Sequence, residues 1–432
     1  MGGSMKSDQN PANGVSTGGT ISLALGAVTL LFFGWGFVTS LIDPLVPAVK
    51  SIFELSFLES QLTQFAWFIA YALVSLPAAA LLGRLGSVPS ILLALAIMIG
   101  GCLLAPLATH LHSYPLVLTG LFVIASGVTL LQVAANPLVA AIGDPKRAHF
   151  RLTLAQAFNS LGTVLGPPLG AFIMLRGGVF DGGAVADTAA KAESLANVER
   201  SFLMIAGVFL LLAFLVFLAR KAIVNAAVPA KAANPLEALS SRWAVLGAGA
   251  IFLYVGAEVT VGSFMINFLH QPHVLDMQLD EAAKLLALYW GGAMVGRFAG
   301  SALLTRFHAA NLLMIAAAMA AALAAVAALT GGNIAAIAAL SIGLFNSIMF
   351  PVIFTLTLER STAPSAATSG LLCTAIVGGA FLPLLAGGLA DKFGLSVALI
   401  VPALAYLAIV VFANAAKGAA PVHQVDGAGG SH

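Results

Sequence analysis

The 432-residue sequence predicts an all-α membrane protein, twelve transmembrane helices arranged as two pseudo-symmetric six-helix halves. Composition, the spacing of apolar runs and a weak internal repeat carry that prediction. Hydrophobic residues make up 60% of the chain and charged residues 8%, with a mean hydropathy of +1.01; a soluble domain holds about 25% charged residues. Cutting the apolar stretches at charge clusters, Gly/Pro turns and polar gaps leaves twelve windows, each near the roughly 20 residues that a bilayer-crossing helix needs.

In order, the windows are 21–49, 57–83, 89–110, 115–142, 150–175, 202–218, 243–269, 282–304, 311–329, 333–358, 368–390 and 396–415. Residues 1–19 and 417–432 read as polar tails, predicted to be disordered at the N-terminus. The longest interior polar stretch, 220–241, reads as a cytoplasmic linker between a first half at 20–219 and a second at 242–416. With the N-terminus inside, inner segments hold 12 of the 19 Lys and Arg residues and outer loops 6, which predicts both termini in the cytoplasm.

The repeat supports two parallel halves. Gly83-Arg84 closes the second window and Thr305-Arg306 the eighth, 222 residues on; Asn136-Pro137 answers to Phe350-Pro351, and Pro167-Pro168 to Pro383-Leu384, with offsets down to 214. Halves related in this way place a substrate site between them near the bilayer midplane.

Polar residues inside the windows are the candidate site. Only Asp43 and Glu258 of the 17 acidic residues lie well within windows, at corresponding places in the first and seventh. A carboxylate at a helix centre costs about 2.5–3.5 kcal/mol on insertion scales, so these two are candidates for cation coupling. Trp35, Thr39 and Asp43 stand four apart and share a helix face. A ring beside hydrogen-bonding groups suits a sugar, whose C–H face stacks while its hydroxyls are bonded. Gln132 and Asn136 in the fourth window, with Gln156 and Asn159 in the fifth, supply donors and acceptors without charge, as a neutral polyhydroxylated ligand requires. The alternative for these amides is hydrogen bonding between neighbouring helices. In the second half Glu258, Asn267, Tyr289, Trp290 and Asn346 complete the substrate-binding candidates. Arg297 and Arg306 read as gate or topology residues near the inner face.

Other function classes lose support. No basic run marks a nucleic-acid partner, and no His-Glu-x-x-His, Gly-x-Ser-x-Gly or P-loop string marks an enzyme or an ATP-driven pump. Cys102 and Cys373 sit in apolar runs as small hydrophobes. No cofactor and no metal is expected beyond a coupling proton or sodium ion; the expected partners are the bilayer and a small-molecule sugar, with the protein acting as a monomer.

Several strings are similar to a known family: Phe32-Phe33-Gly34-Trp35-Gly36 with Asp43-Pro44; Leu131-Gln132-Val133-Ala134-Ala135-Asn136-Pro137; His149-Phe150-Arg151-Leu152 running into Ala155-Gln156-Ala157-Phe158-Asn159-Ser160; Tyr254-Val255-Gly256-Ala257-Glu258; and Gly296-Arg297-Phe298. They resemble the major facilitator superfamily and, within it, the fucose/proton symporter family, over nearly the whole membrane portion. The resemblance implies a multi-pass protein of the bacterial inner membrane that takes a hexose inward with a cation, and it puts the family's proton-coupling aspartate on Asp43. The family's acidic residue in the fourth span is Gln132 here. That departure, with Glu258 and Asn346-Ser347-Ile348-Met349-Phe350-Pro351, looks more like the glucose/galactose branch, which includes N-acetylglucosamine-type relatives. A sodium-coupled carrier and a drug/proton antiporter are the alternatives, the latter disfavoured by the amides.

Overall fold

A computed structural model describes residues 18–42, 57–111, 113–174, 188–226 and 234–422. Asp43 lies outside the described residues. The first half is built from α1 (Gly18–Ile42), α2 (Phe57–Leu85), α3 (Ser87–His110), α4 (Tyr114–Ala141), α5 (Ala148–Met174) and α6 (Thr188–Ala226). The second is built from α7 (Arg242–Leu269), α8 (Leu279–Leu303), α9 (Ala309–Leu329), α10 (Gly332–Arg360), α11 (Ser365–Phe393) and α12 (Leu395–Gly418). The last three are interrupted: α10 at Ser347–Ile348, α11 by a 3-10 turn at Ala375–Val377, and α12 at Leu399. The helix α6 runs past the predicted 202–218 window into the segment read as a linker, and Pro235–Ser240 forms a capped 3-10 turn that packs on α11.

By length and composition, ten of these helices can cross a membrane; α5 and α8 fall short among the described residues. Both carry polar side chains. In α5 stand His149, Arg151, Gln156, Asn159 and Ser160, and in α8 Asp280, Glu281, Lys284 and Arg297. The two helices pack against each other across the boundary between the halves, where Gln156, Ser160 and Arg297 meet protein, while Asp280, Glu281 and Lys284 are exposed at the start of α8.

Close approach of α1 and α5 is written in glycine. A Cβ on Gly36 would stand 2.7 Å from the Asn159 amide nitrogen and 2.9 Å from its backbone carbonyl carbon, and one on Gly162 would stand 2.7 Å from the Phe37 nitrogen. Gly162 and Gly166 are four apart, the small-xxx-small spacing that lets helix backbones touch in a membrane. This contact holds the α1 and α5 faces that carry the candidate residues.

The chain enters α1 and leaves α12 at one end of the bundle. Contacts between the halves gather at that terminus-bearing end, where α11 packs on α2 and α4, and α10 on α5. A Cβ on Gly370 of α11 would stand 3.0 Å from the Ser75 carbonyl of α2, so the two backbones are in near contact.

Candidate functional site

Two polar groupings face each other at mid-depth. The first is a cavity of about 220 Å³ lined by Trp35, Thr39 and Ser40 of α1, Trp67 and Tyr71 of α2, Val128 and Gln132 of α4, and Asn159 and Thr163 of α5. Four helices of one half therefore converge on it, and among the described residues no lining side chain is charged. Several hydroxyl and amide hydrogens are committed locally. Thr39 donates to the Trp35 carbonyl at 3.0 Å, Ser40 to Phe37 at 2.8 Å, and the Asn159 amide to the Phe32 carbonyl at 3.0 Å. Gln132 donates to the Tyr71 hydroxyl. These bonds leave the Gln132 and Asn159 carbonyl oxygens, the second hydrogen of each amide and the Tyr71 hydroxyl hydrogen uncommitted, so the lining offers both acceptors and donors. Trp35 is buried, with its ring 5.4 Å from Phe32. A ligand with several hydroxyl donors and an apolar face fits this lining.

Trp35, Thr39, Gln132 and Asn159 were predicted and come together here. Asn136 and Gln156 do not join them. Gln156 donates to the Asn136 side-chain oxygen at 3.3 Å, and both are buried between α4 and α5. For that pair the helix-to-helix reading of the amides holds. Trp67 and Tyr71 were not singled out from the sequence, because they reach the cavity only through the packing of α2 against α4, where Tyr71 meets Gln132.

The second grouping is charged. The Glu258 Oε1 of α7 accepts from the Tyr254 hydroxyl at 2.8 Å and lies 3.5 Å from the Arg297 Nη2 of α8. The Tyr289 hydroxyl donates to the Glu258 backbone carbonyl at 3.1 Å, and the Asn346 amide donates to Tyr289 at 2.9 Å and to Tyr406 at 3.3 Å. Arg297 was read as a gate or topology residue near the inner face. The structure places it instead on Glu258, with side chains only 15% and 14% exposed, and its Nη1 reaches across to the Ser160 hydroxyl of α5 in the other half. Its Nε donates to the Ser347 carbonyl at 3.0 Å. That carbonyl is free because Pro351, four residues on, has no N–H to offer it, which is also why α10 breaks there. Pro137 of α4 frees the Val133 carbonyl in the same way, and Ser369 of α11 donates to it at 2.8 Å from the opposite half.

Two predicted residues stand apart. Asn267 is exposed near the far end of α7, and Trp290 is 40% exposed with its ring edge-on to Tyr289 and against Gly262. Trp290 packs against the edge of the cluster without joining its hydrogen bonds, and Asn267 lies nine residues beyond Glu258 on α7.

At the terminus-bearing end the halves are joined by His149 of α5, whose Nε2 lies 3.0 Å from the Glu359 Oε1 of α10. The buried Arg151 caps α4 by donating to the Val139, Ala140 and Asp144 carbonyls at 3.1, 2.6 and 2.5 Å. The strings that flank the candidate amides are thus gate and cap.

Comparison with known proteins places this architecture. The family model described as Major Facilitator Superfamily matches residues 27–373. The chain belongs to the major facilitator superfamily. Among curated members, the glucose/galactose transporter of Brucella abortus biovar 1 is 44% identical over 390 residues, covering 90% of this chain and 93% of that one. The L-fucose-proton symporter of Escherichia coli K12 is 30% identical, covering 89% and 91%. The solved structure of the superfamily transporter FucP in the outward conformation superposes with a TM-score of 0.83 at 28% identity, covering 92% of this chain and 99% of that one. This superfamily member is therefore a multi-pass integral membrane protein, and its fucose-symporter resemblance holds along the chain.

Proposed function

We propose that this protein is a secondary active transporter that carries a hexose such as glucose or galactose inward with a cation, a proton in the first instance, by alternating access. The observation that carries the reading is the hydrogen-bonding cavity between Trp35, Gln132, Tyr71 and Asn159, whose lining is uncharged among the described residues. It fits a neutral ring with several hydroxyls and gives no counter-charge to a cationic drug. The glucose/galactose and L-fucose-proton relatives point the same way.

In this reading all twelve helices cross the bilayer, with both termini in the cytoplasm of a bacterial cell. The paired polar faces of α5 and α8 and the 12-to-6 split of basic residues support it. The cavity then faces outward while the cytoplasmic end is shut. Asp43, on the stripe that begins with Trp35 and Thr39, takes the coupling cation. Glu258 is a poorer carrier, because a cation bound there must displace Arg297 from Oε1. The protein needs no organic cofactor and works as a monomer.

Labelled-glucose uptake into sealed proteoliposomes, with an imposed proton gradient in one set and a sodium gradient in another, tests the proposal. Uphill uptake driven by the proton gradient alone is expected, with galactose competing. Uptake driven by sodium alone reassigns the ion; no uptake and no exchange of any hexose or N-acetylglucosamine overturns the sugar reading.

A further inference from the structure

The contact between His149 and Glu359 holds more than a salt bridge. His149 opens α5 in the first half, and Thr355 and Glu359 lie one turn apart near the end of α10 in the second. The imidazole is clamped on both nitrogens: Nε2 is 3.0 Å from the Glu359 Oε1, and Nδ1 is 2.6 Å from the Thr355 hydroxyl. That hydroxyl has one hydrogen, to give to the ring or to its own helix, where the Val352 carbonyl at 3.3 Å is the longer of two acceptors. It can donate to Nδ1, or back along its own helix to the Pro351 carbonyl at 2.8 Å. In the first arrangement the ring is neutral and donates from Nε2 to the carboxylate. In the second Nδ1 carries a proton, donates to the Thr355 oxygen, and the ring is an imidazolium facing Glu359. The same heavy-atom geometry therefore accepts a proton by rotation of one hydroxyl.

The charged neighbours let the carboxylate stay ionised beside that ring. Arg360 holds the other Glu359 oxygen at 3.0 Å. Arg151, two residues along α5, is committed to the α4 carbonyls, and Asp144, Lys146 and Arg147 in the turn before α5 are exposed. On the other elements packed at this end, Arg242 of α7, Arg306 after α8 and Lys417 of α12 are exposed, and Arg297 of α8 is held at mid-depth by Glu258.

We infer that His149, Glu359 and Thr355 form a proton-binding site that latches the two halves together at the terminus-bearing face. The carboxylate is within reach only when the halves meet there, so the closed state binds the proton more tightly than the open one, and by linkage protons on that face favour closure. Histidine is the side chain whose charge changes between about pH 5 and 8, the range in which such a switch would act. With that face inside the cell, as proposed above, an acidified interior holds the carrier shut towards the cytoplasm and slows delivery of sugar and protons. This site shares no residue with the coupling role proposed for Asp43. The inference rests on rocking of the halves and not on which sugar is carried.

Cys373 reports the opening. It is buried on α11, one turn beyond the Ser369 that bonds to the opposite half. In a Cys102→Ala background in detergent, the rate of Cys373 alkylation by a maleimide is measured from pH 6 to pH 8 with and without His149→Gln. Dividing the two rates at each pH removes the thiol's own titration. The ratio is expected to be several-fold at pH 6 and to fall towards one at pH 8. Glu359→Gln, which keeps the shape of its site, is expected to behave alike and serves where His149→Gln does not fold. A ratio that does not change with pH in either variant overturns the inference.

Discussion

Arg297 is the group whose removal is most informative, because three acceptors depend on it. Arg297→Gln takes the counter-charge from Glu258, the donor from the Ser347 carbonyl and the cross-half contact from Ser160. Breaking a buried ion pair on one side costs about 3–5 kcal/mol, and 15% and 14% exposure of these two side chains brings the ionic part towards the lower end. The orphaned Ser347 carbonyl, which Pro351 cannot serve, adds about 1–3 kcal/mol. Glu258→Gln is milder, at about 2 kcal/mol, because a glutamine oxygen still accepts from Tyr254 and the Arg297 guanidinium keeps two neutral acceptors. The double variant is expected to fall short of the sum by about 1–2 kcal/mol, the coupling of a contacting pair. Thermal unfolding in detergent reads the order: Arg297→Gln lowest of the single variants, with the double close to it. Strict additivity, or Glu258→Gln as the more damaging change, would refute the assignment of Arg297 to Glu258.

Three further outcomes follow from the same geometry. Gln132→Ala should weaken sugar binding about tenfold, the loss of one hydrogen bond to a ligand of roughly 1.4 kcal/mol, whereas Gln156→Ala should lower thermal stability and leave the affinity near wild type; isothermal titration with glucose separates them. Gly36→Ala should destabilise the protein by about 1–3 kcal/mol and reduce sugar affinity with it, because the added methyl meets Asn159 and pushes α1 off α5; a fully stable Gly36→Ala protein counts against this packing. Asp43→Asn should abolish uphill uptake while exchange of labelled for unlabelled sugar persists, and survival of gradient-driven accumulation would remove Asp43 from the coupling role.

The helices were readable because each needs its own apolar run, and ten are apolar enough to cross a membrane on composition alone. Helix ends were less readable where a helix runs on beyond its apolar stretch. The polar continuation of α6 past Leu218 is helical all the same, and the break in α10 is signalled only by Pro351. Within the site, residues on one helix face were found by spacing, as with Trp35 and Thr39. Which amides face the cavity was not legible, because Gln132 and Asn136 share a face of α4 and differ by one turn of depth. Tyr71 and Arg297 show why sequence runs out: each matters through a partner on another helix, Gln132 in one case and Glu258 in the other.

The two repeat-related prolines show how equivalent positions acquire different duties. Each frees a carbonyl one turn back, at Val133 and at Ser347. The Val133 carbonyl is served by Ser369 across the boundary between the halves, near the closed end, where a separating α11 hands it to entering water at little cost. The Ser347 carbonyl lies at mid-depth, where no such exchange is free, and it is served from its own half by Arg297, whose Glu258 partner also belongs to that half. When the halves rock apart, Arg297 therefore stays with Glu258 and Ser347 and gives up only Ser160. The charged pair rides with the second half as part of its rigid body, while the neutral cavity belongs to the first. A carrier divided in this way recognises its ligand with uncharged groups and keeps a neutralised pair beside the path. The free energy of reorientation then falls on hydroxyl and carbonyl contacts that water can replace, together with the His149–Glu359 latch at the closing face.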